Sequence, residues 1–395
     1  MNGMLDLTKL AQQMQGISQH LSQEATATRQ RLQLAQTLLE QAFLHQEAWV
    51  NQHQTWRDRL NFTAAEPIEP LNLRVSLPIP APAHTVIATD GSQIAPSHHE
   101  IAYCYLINVG RIVLHYGQNR APLLDSLPEV FYRPEDLYIS RQWGIRTEEW
   151  MGYRRTVSEA MILAELGQSL SNQSPLNPST STRTAFDQPI NQTPPLQLSM
   201  PLSHSSSSSF PFASSPYSPS PPPPLPHSPT PPPTLALTDG SLIYWFLEAL
   251  PSEARDRILN PILAAWEQLR QSQIPLVGYL SASRSGESLN FLRFPACPYS
   301  EPNCASHCSG GELGNKRIRK NERSKDGKEG DRKGGDRTPC QVLEPLKDTA
   351  LWAIQLKPGQ RSPFWRSTAN ILDLYGEHRI YFCYVHVGTE IARVE

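Results

Sequence analysis

No stretch of the chain reaches the roughly 18 uninterrupted apolar residues of a membrane-crossing helix. The N-terminus, MNGMLDLTKLAQQMQGIS, carries Asp6 and polar Gln spacing and lacks the apolar core of a secretory signal. A cytoplasmic location is therefore expected. Cysteine is sparse, six among 395 residues, which without a secretory signal points to reduced thiols or metal ligands rather than a disulfide framework. Apolar residues make up only 39%, low for one compact globule. Charge of neither sign prevails, with 35 Lys+Arg against 37 Asp+Glu.

These averages mix unlike regions. Of the 37 prolines, 18 fall between Ser171 and Pro233, a tract whose charged residues are Arg183 and Asp187 alone. Such a tract buries too little apolar surface to offset its ordering entropy, so residues 171–233 are expected to be a disordered insertion. A second biased stretch, 315–337, holds ten Lys/Arg and five Asp/Glu. It could add salt-dependent affinity for phosphates or be a solvated insertion without function. Outside these two stretches the remainder is ordinary, mildly acidic globular sequence, ample for one large or two modest domains.

Residues 1–66 read as an N-terminal helical region. Leu7, Leu10, Met14, Ile17 and Leu21 recur at steps of three and four, and Leu32, Ala35, Leu39 and Phe43 continue the face. The helix is expected to pack on its own core, or else to pair with a second subunit. HTVIATDGSQI predicts a strand; IAYCYLINV and RIVLHYG, joined across Gly110 and Arg111, predict a tight hairpin. Helices are predicted over 147–170 and 252–271, strands at LALTDGSLIYWFL, PLVGYLSAS and HRIYFCYVHVG, and a helix-like SPFWRSTANILDLYG. Strands alternate with helices, which argues α/β architecture.

The sharpest motif occurs twice, as Thr89-Asp90-Gly91-Ser92 and Thr238-Asp239-Gly240-Ser241. Each follows a short apolar run. A carboxylate at a strand end, with a Gly that lets the backbone turn, is how α/β folds present acids to solvent or metal. A carboxylate pair on neighbouring strands suits Mg²⁺ or Mn²⁺, which prefer hard oxygen ligands, and two such ions can clamp a phosphodiester. A third acid comes from the intervening helix: Glu159, with Arg154 and Arg155 one turn earlier, or its competitor Glu165. The order Asp, hairpin, helical Glu, Asp matches a ribonuclease-H-like layout.

ATDGSQI, the Arg-containing helix with Glu159, LALTDGSLIYW, VGYLSASRS and RIYFCYVHVGTEIARVE together resemble the NurA nuclease family. The resemblance spans about 83–395 apart from the two biased stretches. It implies an RNase-H-like mixed sheet flanked by helices, Mn²⁺-dependent cleavage of DNA, and work beside a HerA-type hexameric ATPase in DNA end resection and double-strand break repair. Asp90 and Asp239 match the family's metal-binding aspartates and Glu159 its helical glutamate. Arg284 stands near a position where the family often has Lys; it would keep the positive charge against phosphate but not the proton-transfer option. Family members continue into a further segment supplying another site residue, whereas this sequence stops at Glu395. An incomplete site is therefore one expectation.

Four cysteines flank the basic stretch: Cys297, Cys304, Cys308 and Cys340. Their spacing is not that of a standard zinc ribbon, yet four thiols could close one site for Zn²⁺ or an iron–sulfur cluster, with His307 as a substitute ligand, or remain free. Cys104 and Cys383, within apolar runs, read as small buried hydrophobes. Trp143, Trp150 and Tyr153 are candidates for stacking on single strands. The sequence reads as a metal-dependent deoxyribonuclease. One alternative is a catalytically inactive DNA-binding partner of a HerA-type translocase. Another is an actin-like phosphotransferase, whose Gly-rich adenosine loop is not found. A homodimer is plausible from the N-terminal helix.

Overall fold

A computed structural model describes residues 7–97, 103–171, 232–304 and 339–395. The basic stretch, His307, Cys308 and all but the ends of the Pro/Ser tract lie outside these.

The described residues form eleven strands in a mixed sheet, flanked by helices. A meander of β3 (His84–Ile94), β4 (Tyr105–Tyr116) and β5 (Leu123–Phe131) pairs antiparallel throughout. Beside β3, β6 (Thr234–Asp239) and then β7 (Leu276–Leu280) run parallel. The order continues through β11 (Ile391–Val394), β10 (Tyr381–His386), β9 (Trp365–Arg366) and β1 (Glu66–Pro67). The short β2 (Val75–Ser76) and β8 (Gln360–Arg361) pair with each other, and β8 with β10.

Alternation drives the meander. Along β3, Thr85, Ile87 and Thr89 are buried while their neighbours are half-exposed or exposed. Along β4, Tyr105, Ile107, Val109, Arg111 and Val113 are buried, the period-2 signature of a sheet covered on one face. The covering helices are α4 (Thr147–Ser171) and α5 (Ser252–Gln271). They meet through Val157, Leu163, Ile258 and Ile262 over Ile87 and Ala236 in one core. A second core gathers Ala35, Leu38, Leu39 and Ala42 from α1 (Leu7–Leu44) with Phe291, Trp352, Trp365, Phe382 and Tyr384. The remaining helices are α2 (Gln46–Trp56), α3 (Pro134–Tyr138), α6 (Glu287–Phe291), α7 (Pro339–Val342) and α8 (Asp348–Gln355).

Several expectations need correction. The hairpin across Gly110 is instead one continuous strand, because Gly110 pairs with Asp90 on one side and Ser126 on the other. SPFWRSTANILDLYG is not a helix: Trp365 and Arg366 join the sheet and only Asn370–Leu374 makes a 3₁₀ turn. The intrachain packing of α1 holds for its second half, whereas Leu7, Met14, Ile17 and Leu21 are exposed. Cys104 is only half-buried and precedes β4, while Cys383 is buried in β10 as expected. Trp150 is fully buried and offers no stacking face; Tyr153 is already stacked on Phe246, with ring centroids 4.6 Å apart.

Candidate active site

The two TDGS motifs lie side by side. Parallel pairing of β3 with β6 runs in one register from Thr85↔Thr234 to Thr89↔Thr238, and one step further sets Asp90 beside Asp239. There the pairing ends: β6 stops at Asp239, and Gly240, with φ of +107°, turns the chain away. β3 does not end. It continues through Asp90, Gly91 and Ser92 to Ile94, so the first motif is mid-strand rather than at a strand end. Its aspartate reaches solvent because β6 no longer flanks it.

α4 lies over this gap. The Thr89 hydroxyl donates to the Glu159 main-chain carbonyl (3.0 Å), and the freed Gly91 N–H donates to the Glu159 carboxylate. A side chain at position 91 would run into Glu159 Oε1 and come within 2.6 Å of Arg155 Cγ. Thr89 and Gly91 thus face α4. Strand alternation turns Asp90 to the opposite face, and the common register places Asp239 with it.

Three acids meet electrostatically at this open end. Burial pushes the Glu159 carboxyl up to about 7; Arg155 and the Gly91 N–H oppose the rise, while the Asp90 and Asp239 charges add to it. Arg155 Nε lies 3.3 Å from Glu159 Oε1. Asp90 and Asp239 are exposed and accept no hydrogen bond from the described residues. Glu165 belongs elsewhere, raised by burial and opposed by Arg111 on β4. Arg154 is likewise not part of the site: it is buried against Asp136 at 2.8 Å. Arg284 is exposed on the loop after β7, at the same end of the sheet as Asp239.

Two groups had no sequence signal. Glu395 follows β11, which the sheet places against β7, and its main chain pairs with Gly278. Its buried carboxylate accepts from the Ser241 hydroxyl (2.9 Å) and the Leu242 N–H (2.6 Å) and faces Arg393 at 2.8 Å. Arg393 in turn meets Glu287 at 2.6 Å. The loop after Asp239 is thereby held from below. Burial, Tyr375, and the charges of Glu159 and Glu395 push the Tyr244 phenol far upward, so it stays a neutral hydroxyl. Only the fold brings these two groups to the site.

The donor set suits a hard divalent cation: three carboxylates, two of them without hydrogen-bond donors and the third, Glu159, raised first by burial and further by the two aspartate charges. Among the described residues, no group of three or more His, Cys, Asp or Glu is drawn together tightly enough to hold an ion. Away from the site, Cys297, Cys304 and Cys340 line one pocket. No helix among the described residues is long and apolar enough to cross a membrane.

No curated protein matches the chain. Among solved structures, the NurA nuclease from Sulfolobus solfataricus is similar at 7% identity and a TM-score of 0.34, covering 90% of this chain and 78% of that one. The family model for the NurA domain matches residues 84–184 and 227–395, which together include Asp90, Glu159 and Asp239. With most of its length so matched, the chain belongs to the NurA domain family.

Proposed function

We propose that the chain is a metal-dependent DNA nuclease in which Asp90, Glu159 and Asp239 hold two divalent ions, Mn²⁺ or Mg²⁺. Membership of the NurA domain family supports a nuclease role. The observation that carries the residue assignment is the common register of the TDGS motifs, which sets two unpartnered aspartates side by side with Glu159 at the gap. Strand order β5-β4-β3-β6-β7, an antiparallel meander followed by parallel strands, supports an RNase-H-like core.

Bound divalent ions supply Lewis-acid polarisation of the phosphodiester and activation of the attacking water. The chain's own residues do the rest. Asp90 and Asp239 present oxygens from one face of the sheet, and the Gly91 N–H holds the Glu159 carboxylate at the gap. Glu395 fixes the Ser241–Leu242 main chain and, through it, Asp239. The neutral Tyr244 phenol sits within the field of Glu159 and Glu395 without adding charge. Arg284 and Arg155 offset phosphate charge at the rim.

On this reading the nuclease domain spans 83–395, interrupted by 171–233 and 315–337, behind an N-terminal helical region. Work with a HerA-type hexameric ATPase in end resection follows from the same family reading. The test is Mn²⁺-dependent loss of a labelled end from linear DNA. Cleavage by the purified chain, abolished by Asp90→Asn and by Asp239→Asn, is the expected result; unchanged cleavage by either variant refutes the assignment.

A further inference from the structure

We infer that Arg393 is the positioning residue that holds the Asp239 loop and the Arg284 loop at a fixed spacing. The inference rests on the proposed roles of Asp239 at the metal and Arg284 at the phosphate. Both loops leave the sheet on neighbouring strands. β6 ends at Asp239, which pairs with Tyr279, and β7 ends one residue later at Leu280. Beyond those ends the ladder stops, and each loop needs another support.

β11 supplies it. Arg393, only 2% exposed, stands opposite Leu280 on β7 and Tyr384 on β10. Its Nη1 donates to the Ser285 hydroxyl at 2.6 Å and meets Glu287 Oε2 at 2.6 Å. Its Nε stands 2.8 Å from Glu395 Oε1, an ion pair that is not aligned as a hydrogen bond. The Phe382 ring backs the guanidinium at 3.7 Å. From there the contacts reach both loops. Glu395 accepts from the Ser241 hydroxyl and the Leu242 N–H, just beyond Asp239. Ser285 directly follows Arg284, and Glu287 is pinned in turn by the Ser367 hydroxyl at 2.6 Å. Buried charge at this density is stable when every member is paired. Here two carboxylates share one cation, and hydroxyls and a main-chain N–H cover their remaining oxygens. A guanidinium suits the position because its fork reaches several acceptors at once, whereas an ammonium is a single point of charge. Displacing either loop would break a contact at Arg393, so the metal-side carboxylate and the phosphate-side cation keep their spacing.

The test compares Arg393→Lys and Glu395→Gln with the unaltered full chain, in cleavage and in amide hydrogen exchange. Arg393→Lys should raise the Mn²⁺ concentration for half-maximal cleavage and the KM for linear DNA, each by about tenfold, as loss of a supporting residue does at metal sites. A residue that only stabilised the fold would lower kcat and leave both values unmoved, and that outcome overturns the proposal. Exchange measured in EDTA needs no activity. Arg393→Lys should speed it at least about tenfold both at 241–243 and at 285–289, while buried Leu259 in α5 keeps its rate. Acceleration in one segment alone, or in neither, overturns the coupling. Should the lysine variant not fold, Glu395→Gln takes its place. Its amide oxygen still accepts from Leu242, so faster exchange at 285–289 must come through Arg393, and an unchanged rate there overturns the proposal. Asp239→Asn, run alongside, separates the two readings. If it cleaves as well as the unaltered chain, the metal assignment fails, and the exchange result alone decides the role of Arg393.

Discussion

The two TDGS motifs are the same four residues put to different mechanical use. In the first, Gly91 lies within a straight strand and is glycine because Glu159 and Arg155 occupy the space a side chain would take. In the second, Gly240 has open space around it and is glycine because its φ of +107° is strained for any other residue. Each motif also receives its own glutamate. Glu159 takes the main-chain N–H of Gly91, and Glu395 takes the hydroxyl and N–H that follow Gly240. Identical sequence therefore goes with different backbone environments, and what the proposed function gives the two motifs in common is the aspartate alone.

That symmetry at the aspartates makes the strongest prediction. Asp90→Asn and Asp239→Asn should each lower Mn²⁺-dependent cleavage by about a thousandfold or more, equivalent to about 4 kcal/mol of transition-state stabilisation. A large difference between them would show that the motifs are not chemically equivalent.

Glu159 offers the next test, through pH. Its folded carboxyl titrates at about 7 against an ordinary 4.5, so between those values the folded chain holds a proton that the unfolded chain has lost. Stability in EDTA should then fall as pH rises from 4.5 to 7, by up to about 3 kcal/mol. Glu159→Gln should remove that slope and leave a metal-free protein more stable at pH 7.5, while cleavage is lost. Urea denaturation at several pH values decides it; an identical slope in the variant would refute the assignment.

The glycines should separate the motifs. Gly91→Ala forces Glu159 and Arg155 aside and should lower cleavage about a hundredfold, the usual consequence of a displacement near 1 Å at a reacting centre. Gly240→Ala should instead lower stability by about 1–2 kcal/mol through backbone strain. The serines give the smallest contrast. Ser241→Ala removes the hydroxyl held by Glu395 and should destabilise by about 1 kcal/mol. Ser92, exposed and without a described partner, should tolerate alanine within about 0.5 kcal/mol. Equal effects at positions 92 and 241 would show that the two motifs are held alike.

The sequence carried α4 and α5 nearly to the residue because their apolar positions repeat at helical spacing over 20 residues or more. It misled at Gly110, whose turn propensity yields to pairing on both sides. It also misled at 362–376, where Trp365, Ile371 and Leu372 mimic a helical period but are buried by a bridge and a 3₁₀ turn. Asp90, Asp239 and Glu159 were legible as residue types in order. Their division between two sheet faces was not, since alternation assigns a face only once the partner helix is known. Glu395 was illegible because its role comes from β11 pairing with β7, a contact between positions more than 100 residues apart.

The register shared by β3 and β6 has one more consequence, for the residues joining α4 to β6. Those residues, about sixty of them, leave α4 at Ser171 and re-enter the sheet at Thr234. Closing even a fully flexible loop of that length costs only about 2.4 kcal/mol more than closing one of four residues, because the penalty grows with the logarithm of length. The two aspartates are aligned by the ladder between their strands, not by the connection that links them. The length of that connection can therefore change at small entropic cost while the alignment of Asp90 with Asp239 stays fixed.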